Sequence, residues 1–170
     1  IFNNNKFVKN VQSVISEENL GSIYNIISIG NIYAQESTTP ISGVVNKNSG
    51  FINVVSAKVH ICTTGSSYAG FTVAGFVNST SGAVYNSEAV GNIEFIQGDN
   101  AGNYKVNSKN DSVNKLYGFV GNNQDTIVNC VSGVTRPLYA GEIETAYNSS
   151  FVGNGTNSKF VNCVVDIFAN

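Results

Sequence analysis

Asn25-Ile26-Ile27-Ser28-Ile29-Gly30-Asn31-Ile32 aligns with Asn86-Ser87-Glu88-Ala89-Val90-Gly91-Asn92-Ile93, and Asn53-Val54-Val55-Ser56 and Asn129-Cys130-Val131-Ser132 open the same way. Such a repeat decides the architecture, because a short unit can bury its apolar face only against the next copy. With the Asn as anchor, the copies begin at Asn10, Asn25, Asn53, Asn86, Asn129 and Asn162. Two residues earlier stand Val8, Ile23, Phe51, Val84, Ile127 and Phe160, all large and apolar. Three residues later stand Ser13, Ser28, Ser56, Ala89, Ser132 and Val165, nearly all small. The alternation predicts a strand with one face inward. The Asn, which tolerates unusual backbone angles, predicts a bend or bulge where that alternation breaks.

A second element precedes the later anchors. It reads Gly43-Val44-Val45-Asn46, Gly75-Phe76-Val77-Asn78, Gly118-Phe119-Val120-Gly121 and Ser150-Phe151-Val152-Gly153, with turns such as Asn122-Asn123 and Asn154-Gly155 behind it. Ser16-Glu17-Glu18-Asn19-Leu20 is at most one helical turn before Gly21, and no other stretch has a helical period with caps. The expected fold is all-β, a parallel β-solenoid of about four to five irregular coils. It forms one segment over 1–170, part of a longer chain: an atypical coil 1–20, repeats at about 21–48, 49–80, 81–123 and 124–155, and a partial coil 156–170. The structural anchors are Asn25, Asn53, Asn86, Asn129 and Asn162 with Gly43, Gly75 and Gly118. Stacking would turn the Ser/Ala positions into an inner ladder of small side chains. Cys130 and Cys163 share one repeat position, where direct stacking suits buried thiols better than a disulfide.

The pairing of Gly118-Phe119-Val120-Gly121-Asn122-Asn123 with Ile127-Val128-Asn129-Cys130-Val131-Ser132 resembles the GLUG motif, found in arrays on bacterial and protist surface proteins. Residues 21–32 and 81–93 match its second half, including Gly30 and Gly91; Gly43-Val44-Val45-Asn46 lacks the second Gly, and Ser150 replaces the first. The resemblance implies an extracellular or cell-surface protein, adhesin-like or stalk-like, and brings no catalytic residues.

Composition narrows the function classes. The 170 residues are 42% hydrophobic but only 12% charged, about half the usual charged share. A net charge of −2 with Arg136 as the single arginine gives no nucleic-acid footprint. No apolar run is long enough to span a membrane. The chain has no Met, so Ile1 is read as the start of a processed or excised piece. Three cysteines without a C-x-x-C pair, and His60 as the single histidine, argue against a metal site, and no cofactor motif is present.

No catalytic set stands out. Asp99, Asp111, Asp125 and Asp166 fall in different phases of the repeat, and Glu142 and Glu144 form only a local pair. Carbohydrate cleavage needs acids converging on one bond. The threonines do not align into a flat row, which removes an ice-binding reading. Asn78, Asn110, Asn148 and Asn154 head Asn-x-Ser/Thr sequons and are candidate glycosylation sites. The leading expectation is a non-enzymatic structural or adhesive solenoid segment of a large surface or filament protein. Its partners would be other proteins or copies stacking at the open ends, and glycans. One alternative is a carbohydrate-binding or carbohydrate-active β-helix working through the irregular loops 94–117 or 136–147. Another is an intracellular structural component of a protein assembly.

Overall fold

The structure, a computed structural model, describes residues 2–3, 13–35, 40–66, 72–98, 104–106, 115–135, 148–149 and 151–165. Secondary structure among them is strand only, wound into three parallel walls. Wall A carries the long strands Ser22–Gln35 and Phe51–Ser66, then the interrupted passes Val84–Tyr85 with Glu88–Gly98, Thr126–Val128 with Val131–Thr135, and Lys159–Val161 with Val164–Val165. Wall B stacks Ile41–Ser42, Thr72–Ala74, Lys115–Tyr117 and Asn148–Ser149; wall C stacks Ser16–Asn19, Val45–Asn48, Val77–Thr80, Val120–Asn123 and Val152–Gly155. The chain visits B, C and A in turn. This is a parallel β-solenoid. Three turns, 41–66, 72–98 and 115–135, lie between the outer passes 13–35 and 148–165, slightly fewer complete turns than the sequence suggests.

Two sequence expectations change. Ser16–Asn19 is a wall C strand, paired in parallel with Val45–Asn48, and not a helical turn. The region 94–117 is not loop throughout: Glu88–Gly98 runs into it, Tyr104–Val106 pairs back antiparallel on that strand, and Lys115–Tyr117 joins wall B. The insertion leaves the stack intact because Leu116 still registers with Val73, and Val120 with Val77.

The interior consists of rows running across the coils. Val44, Phe76 and Phe119 are each fully buried, and the rings of Phe76, Phe119 and Phe151 stack with centroids 4.5 and 5.0 Å apart. Beside them Gly43, Gly75 and Gly118 let neighbouring coils touch backbone to backbone. A Cβ on Gly43 would stand 2.0 Å from the Gly75 carbonyl oxygen, and one on Gly75 would stand 2.2 Å from that of Gly118. The inner ladder of small residues is present as Ser28, Ala57, Ala89 and Ser132, all buried, with Val165 next in register. Ala57 occupies the rung assigned to Ser56.

That exchange reflects a one-residue slip at the second wall A pass. Asn25, Asn86, Asn129 and Asn162 adopt the left-handed conformation, with φ of 55°, 46°, 53° and 50°. In the second pass Val54 has φ 56°, and the register Ile52↔Val84, Asn53↔Tyr85 aligns Val54, not Asn53, with Asn86. Accordingly Ile52 is buried while Phe51 lies outside, tilted against Tyr85 with centroids 5.5 Å apart. A β-branched residue is disfavoured in this region by roughly 1–3 kcal/mol, whereas Asn adopts it readily. Val54 is 48% exposed, so it contributes little to the core. Val54→Asn is therefore expected to stabilise the protein by about 1 kcal/mol. A thermal melt of the variant at or below the parent midpoint would argue against a left-handed backbone there.

Candidate functional site

A groove crosses wall A at the left-handed residues Asn25, Val54, Asn86 and Asn129. It holds about 610 Å³ and is lined by Asn25, Val54, Asn86 and Asn129 on one bank and Ile27, Ser56, Glu88 and Val131 on the other, with Ile26, Val55 and Ser87 between them. Register explains the arrangement. Each bank takes one residue per pass, because Ile27 pairs with Ser56, Ser56 with Glu88, and Glu88 with Val131.

Two residues of the first bank, Asn86 and Asn129, belong to a chain of carboxamides that runs from Asn53 to Asn162. Asn86 Nδ2 donates to Asn53 Oδ1 at 2.9 Å, Asn129 Nδ2 to Asn86 Oδ1 at 2.9 Å, and Asn162 Nδ2 to Asn129 Oδ1 at 3.2 Å. Asn53, although one residue out of register, still starts this chain of hydrogen bonds. On the opposite bank Ser56 Oγ donates to Glu88 Oε1 at 2.6 Å. Ile27 is 69% exposed and, with Val54, gives the groove an apolar rim. None of the described lining residues is cationic.

A second polar row turns inward and escapes a reading of the sequence alone. Asn19 Nδ2 donates to Asn48 Oδ1 at 2.7 Å, and Asn48 Nδ2 donates to Thr80 Oγ1 at 3.0 Å. The same side chains turn the corner into wall A: Asn19 Oδ1 accepts from Gly21 N, Thr80 Oγ1 from Gly82 N, and Asn123 Oδ1 from Asp125 N. These residues are buried but hydrogen-bonded, as burial of an amide requires. They are structural.

The Cys130 thiol is not poised for nucleophilic chemistry. Cys62, Cys130 and Cys163 form no disulfide, and Cys130 and Cys163 occupy one row, since Val131 pairs with Val164. Cys130 Sγ donates to Val128 O at 3.3 Å and Cys163 Sγ to Ile127 O at 3.4 Å. Burial pushes the Cys130 thiol from 9.0 up to about 12, with a smaller upward contribution from Cys163. The folded protein thus holds this proton more tightly than the unfolded chain does. Stability should fall as pH rises from about 9 towards about 12, because unfolding then releases a proton. At pH 8 a thiol reagent is expected to leave Cys130 unmodified until the chain unfolds. Fast labelling in native buffer would contradict this burial.

The sequons differ sharply in their surroundings. Asn78 is 7% exposed, and its Nδ2 donates to Ile41 O and Asn46 Oδ1, both at 2.7 Å. A glycan on that nitrogen is incompatible with the folded chain, so Asn78 is withdrawn as a glycosylation site. Asn154 is exposed in the wall C strand Val152–Gly155. Asn148 begins the wall B strand Asn148–Ser149, opposite Leu116. Asn110 and the loop 136–147 lie outside the described residues. The fold therefore defines a parallel β-solenoid with an outward groove. Comparison with protein-family models, curated proteins and solved structures finds no match for the chain.

Proposed function

We propose that this chain is a non-enzymatic structural or adhesive segment of a larger surface or filament protein, built to extend by stacking. The observation that carries the reading is the continuity of its rows. The same inward, outward and left-handed positions recur from the pass 13–35 to the pass 148–165. At the last described pass Phe160 is 46% exposed, although its row partners Ile52, Val84 and Ile127 are fully buried. Val161 and Val164 are exposed beside it. An apolar row left open in this way supports burial against a further coil or a second copy. The GLUG resemblance supports an extracellular or cell-surface setting. Electron micrographs of concentrated protein are the test. Rods of constant width that lengthen end to end are expected, and compact monomers at every concentration would overturn the stacking.

Three cysteines outside any disulfide favour a second reading, an intracellular structural component of a protein assembly. Peptide mass analysis of protein from its native source separates the two, since sugar on Asn154 requires the secretory route.

A further inference from the structure

We infer that Cys130 and Cys163 form a two-coordinate site for a soft monovalent cation, copper(I), held between adjacent coils. Register places the two donors. Val128 pairs with Val161 and Val131 with Val164, so Cys130 and Cys163 stand at the same point of neighbouring passes. Their sulfurs repeat one environment. Cys130 Sγ donates to Val128 O at 3.3 Å and reaches Val84 O of the preceding pass at 3.8 Å. Cys163 Sγ meets the equivalent carbonyls, Val161 O at 3.5 Å and Ile127 O at 3.4 Å. Two sulfurs in equivalent surroundings on neighbouring strands are separated by the strand spacing, about 4.8 Å. That is more than twice the length of a disulfide bond, about 2.05 Å. Two metal–thiolate bonds of about 2.3 Å, laid end to end, span about 4.6 Å and bridge the pair with little movement.

The donors select the ion. Thiolates prefer soft cations, and copper(I) is satisfied by two sulfurs in a line. Zinc requires four ligands, and among the described residues no group of three or more His, Cys, Asp or Glu side chains converges. On binding, each S–H bond breaks as an S–Cu bond forms, and the two protons pass to solvent. Burial opposes a bare thiolate at Cys130, but the cation takes the place of the proton and compensates the anion. Two thiolates and one copper(I) keep a single negative charge. The Ser87 backbone N–H donates to Cys130 and offsets it on one side, and solvent reaches the half-buried Cys163 on the other. The same exposure gives the ion a route: it lands on Cys163 and then engages Cys130 behind it. A bare ion can take that step where a bulky thiol reagent cannot. Cys62 stands apart, in register with Tyr33 and Glu94 in another row. The site lies within one chain, so it does not depend on end-to-end stacking.

The test is anaerobic titration of the phosphine-reduced protein with copper(I) held by the coloured chelator bicinchoninate. One ion per chain should pass from chelator to protein with release of about two protons, and X-ray absorption should show two sulfur neighbours. Cys163→Ser changes a half-buried side chain and should weaken binding about 100-fold or more, since even outer-shell changes cost roughly 10–100-fold. Cys130→Ser should do the same. A serine already fits this row at Ser87, whose Oγ donates to Tyr85 O at 2.6 Å, so the variant is expected to fold. Cys62→Ser should bind as the parent does, and thermal melts of all three variants establish that they are folded. Failure of the ion to leave the chelator would overturn the inference. So would one ion shared by two chains, a third sulfur neighbour, unchanged affinity in Cys163→Ser, or lost affinity in folded Cys62→Ser.

Discussion

Phe119→Ala is expected to cost about 3–5 kcal/mol, which in urea moves the unfolding midpoint down by about 2 M. The Phe119 side chain is fully buried between the rings of Phe76 and Phe151, so truncation removes two stacked contacts as well as buried area. The cavity cannot collapse easily, because the neighbouring coils are held apart by their main chains. Phe119 N donates to Phe151 O at 3.0 Å and Phe76 N to Phe119 O at 3.0 Å. Phe51→Ala provides the contrast. Its ring is 38% exposed and touches Tyr85 from outside, so the cost should stay below about 1.5 kcal/mol. Equal losses for the two variants would mean that the register of the second pass is wrong.

The solenoid is legible in the sequence because its determinants are rows, and rows survive variation at single positions. Gly43, Gly75 and Gly118 mark close coil contacts, Phe76 and Phe119 mark the core, and Asn25, Asn86, Asn129 and Asn162 mark the left-handed backbone. The slip at Asn53 shows where pattern matching fails. Asn53-Val54-Val55-Ser56 resembles Asn129-Cys130-Val131-Ser132 closely enough to impose a false register, since a one-residue shift leaves apolar residues on both faces. A better ruler was available in the corners. Asn19-Leu20-Gly21, Asn48-Ser49-Gly50 and Thr80-Ser81-Gly82 recur as one turn, and counting four residues from each Gly reaches Asn25, Val54 and Asn86. The buried role of Asn19 and Asn48 was hidden for a related reason. Asn in a turn usually faces water, and only stacking supplies the partners that permit burial. The groove was invisible because it belongs to no single coil; its lining comes from four passes of wall A.

Gly75→Ala is expected to destabilise the protein by at least about 3 kcal/mol, at the upper end of overpacking losses. The added Cβ would sit 2.2 Å from Gly118 O and 2.7 Å from Val134 Cγ2. The side chain could rotate away, but the carbonyl oxygen belongs to the adjoining coil. Retreat of that coil would stretch the hydrogen bonds that join the turns, Gly75 N to Tyr117 O at 2.9 Å and Val77 N to Phe119 O at 3.1 Å. It would also part the Phe76–Phe119 stack, so one methyl group loosens hydrogen bonding and core packing together. Gly21→Ala is the matched control, because nothing stands within 4 Å of its Cβ position. That change should be neutral or stabilise by about 0.5 kcal/mol through reduced freedom of the unfolded chain. A difference between the two variants below about 1 kcal/mol in denaturant melts would contradict backbone contact between coils. A wide difference would establish the glycine row as what sets coil spacing, and thereby the spacing at which the outer groove repeats.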